Sequence, residues 1–334
     1  QGKRHIAPVS SFPFEYLGKQ QEYYNEELID GFIDDATTKN EPFCLFFCSH
    51  NSHTPWNQGD TSLFDKDKIT LPPYLVDTDV TRESYVKYLA EINALDDEVG
   101  KLLAVLDRYD IVDNTIVLFT SEQGHSFPFA KWTCYGSGLR TAVIMRYPDV
   151  IKAGVETDAM CEYVDVVPTL IDLVGGEVPT DIDGKSFIKV VKGKTDRHKK
   201  YTFSQHTTCG INSGSDYYGI RSVYDGEYRY VLNLTPEVKF CNILTADRKE
   251  DSIFASWLLE SETNTFAKEQ VERYQIRPKE EFYVLDDDAY EMKNQINNIK
   301  YQKDIDRLRR TLYNWMLEQG DKGQETELKA RERM

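Results

Sequence analysis

Two rhythms of apolar and polar positions run along this chain. Over residues 83–107, Leu89, Ile92, Leu95, Val99, Leu102, Leu103 and Leu106 recur every three or four positions, which predicts an amphipathic helix. Short unbroken apolar runs flank it, residues 43–49 (FCLFFCS, after Pro42) and 115–120 (TIVLFT, after Asp113-Asn114). Runs of that length and continuity predict strands buried on both faces. A third strand is expected over 142–146, ahead of Pro148, and a helix through 166–174 that stops at Gly175-Gly176. This strand-helix-strand order predicts an α/β fold with a mixed, mostly parallel sheet sandwiched by helices.

Farther along the rhythm changes. Residues 181–200 turn polar and basic and read as a link, giving a larger α/β domain over 1–195 and a smaller α+β subdomain over 196–334. In the latter, 218–234 (YGIRSVYDGEYRYVLNL) predicts a hairpin turning at Asp225-Gly226, and 282–285 another strand of an antiparallel sheet. Ile305, Leu308, Leu312, Trp315 and Met316 mark a terminal helix, and the charged tail after Gly320 is expected to be peripheral.

Charge narrows the choice of ligands. The net charge is −16, and no stripe of Lys and Arg exists to displace counterions from a nucleic acid, so a nucleic-acid partner is excluded. An anionic ligand would have to be met by a few focused cationic side chains, because the overall field repels it. No apolar run approaches the ~20 residues of a spanning helix. The six cysteines are too few and too scattered for a disulfide framework. Cys44 and Cys48 lie roughly 13 Å apart along one strand face and should not pair; Cys134, Cys161, Cys209 and Cys241 are expected as buried thiols.

Four segments carry candidate chemistry, two of them directly beyond predicted strands, where open α/β sheets bind ligands. In Gly2-Lys3-Arg4-His5, Lys3 and His5 project to one side of an extended segment and could meet an anion together. In His50-Asn51-Ser52-His53-Thr54-Pro55, a histidine beyond a strand can donate a proton or bind an anion. Glu122 and Gln123, in SEQGH, offer adjacent oxygens that suit a hard cation. Lys131, between Ala130 and Trp132, could hold its ammonium in a pocket with its stem on aromatic rings. A solvated or merely packed side chain is the plain alternative at each position.

Taken in order, GKRH, HTP, FTSEQG and AKW followed by GSGLRTAVIMRYP resemble the motifs of the sulfatase family of the alkaline-phosphatase-like superfamily. The likeness continues through CEYVDVVPTLIDLVGG, IRSVYDGEYRYVLN, FYVLDDDAYEMKNQ and the final helix, and GHSFPFAKWT leans toward its heparan N-sulfatase (sulfamidase) branch and bacterial relatives. The resemblance implies a hydrolase of sulfate esters or sulfamates on sulfated saccharides. It implies Lys3, His5, His53 and Lys131 as catalytic residues and Glu122 and Gln123 as ligands of a divalent metal, Ca2+ or alternatively Mg2+. His206, Tyr217 and Tyr218 are expected at the saccharide. Glu122 and Gln123 stand where the family has shorter side chains. A formylglycine nucleophile, made from a Cys or Ser in C-x-[PA]-x-R, is implied too, yet no cysteine here stands in that pattern. Residues 1–195 therefore read as an incomplete catalytic domain, inactive alone, whose partner is a missing N-terminal segment. Family membership implies a periplasmic or extracellular site, lysosomal in a eukaryote. A phosphatase or phosphodiesterase of the same superfamily and a non-catalytic sulfated-glycan-binding pseudoenzyme are the competing readings.

Overall fold

A computed structural model of the chain describes residues 1–333 other than Gln21, Arg248 and Glu250, with Arg331 and Arg333 described by their backbone alone. The chain packs as two compact units, Gln1–Leu71 with Thr81–Ile116, and Pro72–Val80 with Val117–Met334. The sequence boundary near residue 195 falls inside the second.

The first unit is built on two helices, α1 (Glu26–Lys39) and α2 (Asp79–Arg108). Asn25 caps α1 by accepting from the Leu28 N–H, Glu26 and Glu27 occupy its first turn and Lys39 its last, each on the side the helix dipole favours. Ile29, Ile33 and Ala36 form its buried stripe, and Arg108 of α2 ion-pairs with Glu26 and Asp30. The periodicity read over 83–107 belongs to α2, which is longer at its N-terminal end.

Residues 43–49 depart from expectation. They alternate between half-buried (Phe43, Leu45, Phe47, Ser49) and exposed (Cys44, Phe46, Cys48), so one face is partly covered and the other stays open to solvent. Phe43 meets Phe32 of α1 and Phe47 meets Tyr24, whereas Phe46 is 58% exposed. Pairing is confined to a parallel bridge between Gly2 and Cys48, in which the Lys3 N–H donates to the Cys48 carbonyl at 2.8 Å and the Cys48 N–H to the Gln1 carbonyl at 3.0 Å. A Cβ on Gly2 (φ +98°) would lie 2.2 Å from the Cys48 oxygen, so only glycine lets the two segments close.

In the second unit, β1 (Val117–Thr120) and β2 (Val143–Arg146) pair antiparallel, Val117 opposite Arg146. The loop between them contains a single turn of helix, α3 (Gly136–Leu139). These strands were expected within a parallel sheet; the connection returns the chain directly alongside itself, so this pair is antiparallel. After α4 (Val166–Leu173) and α5 (Ile188–Val191) come β3 (Thr202–His206), β4 (Ile220–Tyr224) and β5 (Tyr228–Asn233), then α6 (Ile243–Ala246), α7 (Ile253–Glu260), α8 (Thr265–Gln275), β6 (Glu280–Val284), α9 (Gln302–Glu318) and α10 (Gln324–Leu328).

Strands β3-β4-β5-β6 form one antiparallel sheet in that order, with the expected hairpin at Asp225-Gly226, where the Asp225 carboxylate accepts the Glu227 and Tyr228 N–H groups. Ile305, Leu308, Leu312 and Met316 of α9 pack on Val223, Tyr230, Leu232, Phe282 and Val284 of the sheet. Each such side chain contributes about 1.5–3 kcal/mol of apolar burial. The tail after Gly320 is not peripheral: Arg221, 2% exposed, pairs with Asp321 and with Glu327 of α10. Of the four cysteines expected inside, Cys134 is buried, Cys209 and Cys241 are half-buried and Cys161 is exposed; Cys44 and Cys48 are free, as their spacing required.

Candidate functional site

The Gly2–Cys48 bridge sets the geometry in the first unit, because it holds Lys3 beside the start of the loop at 49–59. That loop is fastened to α2 by two buried carboxylates. Glu91, 1% exposed, accepts the Asn57 and Gln58 N–H groups, both at 2.6 Å. Glu98 accepts the Ser49 hydroxyl, whose oxygen in turn accepts the Asn51 N–H. Burial pushes the Glu98 carboxyl above its ordinary range, with the Ser49 hydroxyl opposing.

On this clamped loop the His53 N–H donates to the His50 carbonyl at 2.8 Å, closing a turn that leaves the His53 ring exposed with its Nδ1 2.6 Å from the Thr54 carbonyl. The His50 ring stacks obliquely on Tyr23, centroids 5.0 Å apart. Its protonation is disfavoured by burial first and then by Lys3, His53 and His5. The structure thus brings Lys3, His5, His50 and His53 together in the first unit. Sequence reading put three of these forward as catalytic and gave His50 less weight than His53.

Glu122, Gln123 and Lys131 lie in the second unit, on the β1–β2 loop. Its base is closed by Ser121, whose hydroxyl accepts the Ala142 N–H, and its neck by the Gly124 N–H to the Gly138 carbonyl at 2.9 Å. Any Cβ at Gly124 would strike the Ser137 carbonyl at 1.9 Å. The Lys131 N–H donates to the His125 carbonyl at 3.0 Å, and the His125 ring, bonded to the Tyr74 hydroxyl at 3.0 Å, is held neutral by burial, its pKa lowered to about 4. Phe129 (φ 69°) and Trp132 (φ 68°) both take left-handed backbone on either side of Lys131, whose Nζ lies 5.3 Å from the Trp132 ring centroid.

Glu122 is exposed and Gln123 half-buried. Two oxygens of this kind suit a hard cation, but calcium takes six to eight, and among the described residues no three His, Cys, Asp or Glu side chains come together as a metal group. These two fit as part of a coordination shell and not as a whole one.

The expected saccharide contacts also fall in the second unit. Tyr217 lines a shallow cavity of about 550 Å3 under the loop from Thr208. Tyr218 is fully buried and His206 half-buried, and both pack on Phe240 at 5.2 and 6.2 Å. Burial, with Arg277 and Arg221 nearby, lowers the His206 pKa to about 3, and burial raises that of Tyr218 to about 12. Both are therefore neutral at ordinary pH.

Comparison with known proteins identifies the family. Residues 7–176, just over half of the chain, match the family described as Sulfatase, and residues 124–250 match the one described as N-sulphoglucosamine sulphohydrolase, C-terminal. The chain is 26% identical to an ulvan-active sulfatase of Formosa agariphila across 96% of its own length and 62% of the relative's. It is 32% identical to an N-acetylglucosamine-6-O-sulfatase of Bacteroides thetaiotaomicron across 61% and 37%. A crystal structure from Bacteroides fragilis, assigned provisionally as a sulfatase, superposes with a TM-score of 0.65 at 17% identity, covering 90% of this chain and 59% of that one. The chain spans less than two thirds of the length of each of these three.

Proposed function

This chain belongs to the sulfatase family, with the alkaline-phosphatase-like fold of its structural neighbours, and from that premise we propose that the polypeptide carrying it hydrolyses sulfate esters or sulfamates of a sulfated carbohydrate. The observation that carries the reading is the gathering of Lys3, His5 and His53 around the neutral His50 in one unit of a protein whose net charge is −16. A concentrated cationic patch on an acidic chain is what a small anion requires and what a broad polyanion interface does not.

In this reading Lys3 and His53 neutralise the sulfuryl oxygens, and Lys131 adds a further positive charge. His5, exposed, moves the proton of the leaving group or of the intermediate's release. Glu122 and Gln123 hold a divalent cation, Ca2+ or Mg2+, together with oxygens outside this pair. When bound, the cation supplies charge stabilisation at the sulfate. The nucleophile is a formylglycine outside these 334 residues, which makes the chain alone inactive. Tyr217 meets the saccharide. Residues 1–195 form the catalytic part and 196–334 the appended subdomain. Among the described residues no helix is long and apolar enough to cross a membrane, and action in the periplasm or outside the cell, or in a lysosome, is part of the proposal.

The test is sulfate release by the full-length protein from an aryl sulfate and from a sulfated sugar, with an aryl phosphate run in parallel and bound metal measured. Sulfate release with a stoichiometric divalent ion is expected. Preferential phosphate release would replace this reading with a superfamily phosphatase. Tight binding of sulfated glycan with no metal and no turnover would replace it with a binding protein.

A further inference from the structure

Beside the cationic cluster of the first unit lies a cavity of about 50 Å3, lined by Tyr23, His50, Asn51, His53, Gln58 and Glu91 among others. Two polar atoms on residues that line it are buried and have no hydrogen-bond partner, His50 Nε2 and Asn51 Oδ1. Buried polar atoms are costly to leave unpaired unless something fills their valence, and the pair has a definite preference. Asn51 Oδ1 only accepts, so its partner must donate. His50 is neutral at ordinary pH, because burial and the neighbouring Lys3, His53 and His5 oppose its protonation, and its Nε2 can then either donate or accept according to tautomer. A sulfate or carboxylate oxygen has nothing to donate to Asn51. A hydroxyl donates one hydrogen bond and accepts others, matching both atoms at once. Size permits it: a water-sized group needs only about 10–15 Å3 of such space, so the cavity admits a hydroxyl.

We infer that His50 and Asn51 form a subsite that reads one free hydroxyl of the substrate sugar next to the sulfated position. The inference deepens the proposed function and rests on it. The cationic side chains hold the charged group while these two neutral atoms select its surroundings, so the enzyme distinguishes a sugar with a free neighbouring hydroxyl from one in which that position is deoxygenated, methylated or itself sulfated.

The experiment compares kcat/KM of the full-length protein for a monosaccharide sulfate bearing a vicinal hydroxyl and for its deoxy analogue, with an aryl sulfate as reference. The wild type should favour the hydroxylated sugar by about tenfold to a hundredfold, the equivalent of leaving buried polar atoms unpaired. In His50→Ala and in Asn51→Ala that ratio should shrink toward one, and His50→Gln, which keeps a donor and an acceptor, should recover part of it. The ratio is taken within each protein, so a general loss of activity cancels. A wild-type ratio near one means the cavity holds only water and overturns the subsite, as does a ratio untouched by either alanine variant. Should a variant fail to fold, the wild-type comparison decides alone. Absence of sulfate release from all three esters removes the parent reading and this one together, whereas hydrolysis without discrimination removes only this one.

Discussion

Buried carboxylates fasten both the loop at 49–59 and the layer formed by the β3–β6 sheet with α9 and α10, but they meet different partners. Glu91 and Glu98 accept neutral N–H and O–H groups from the loop above them. Asp321 and Glu327 close on the guanidinium of Arg221, which is 3% exposed by its side chain. In the second case the charges are consumed by each other and the result is a rigid joint. In the first no cation is spent on holding the loop that carries His50 and His53 near Lys3 and His5. The difference teaches how an acidic protein can present positive charge: support comes from groups that do not neutralise it.

The contrast can be broken most sharply at Arg221. Arg221→Ala leaves two carboxylates buried without a cation and should cost about 3–5 kcal/mol of stability, read by urea unfolding; a loss under 1 kcal/mol would show the joint to be solvated. Next comes His53→Ala, whose exposed ring should carry function and not stability. Sulfate release by the full-length protein should fall by about a hundredfold to a thousandfold, while the melting temperature stays put, as for other exposed positions. Equal losses in both would place His53 in the framework. Glu91→Gln should destabilise by about 1.5–3 kcal/mol, the range for hydrogen bonds to a charged group, and in proportion raise amide exchange at Asn57 and Gln58; unchanged exchange there would deny the clamp.

The smallest expected effect is a pH slope. Burial raises the Glu98 carboxyl, so its contribution to stability is fully present below the ordinary carboxyl pKa and is lost as pH rises through the higher folded value. Glu98→Gln should therefore melt progressively higher relative to wild type between pH 4 and pH 7. A difference constant across that window would mean the carboxyl is not held in the way described.

Much of the fold could be read from spacing. Helix α2, helix α4, the β4–β5 hairpin and α9 each repeat their apolar residues at the period of the element, and packing reinforced what the pattern proposed. Residues 43–49 misled because an apolar run says nothing about how many faces find a partner, and Phe46 and Cys48 find none that buries them. Helices α6 to α8 went unread: Phe254, Trp257 and Tyr274 form an aromatic cluster instead of a leucine stripe. Glu91, Glu98, Asp321 and Glu327 look like solvated charges in sequence, and only the return of distant backbone or of Arg221 buries them. At the candidate site, GKRH and HTP drew attention to Lys3, His5 and His53 through ordered motifs. His50 and Asn51 belong to no such pattern; their significance lies in two unpaired buried atoms on residues that line a small cavity, which spacing cannot encode.

The two left-handed residues beside Lys131 also shape what mutation can reach. Each holds a non-glycine side chain where L-residues ordinarily cost about 1–2 kcal/mol; at Phe129 the aromatic cage of Tyr74, Trp257 and Tyr274, with the Arg273 guanidinium 4.1 Å above the ring, opposes that cost. A saturation library at positions 129 and 132 would accordingly be lopsided, admitting glycine and asparagine on backbone grounds and rejecting valine, isoleucine and threonine. At 129 that backbone relief is outweighed, because removing a ring only 2% exposed empties its cage at a cost of about 3–5 kcal/mol.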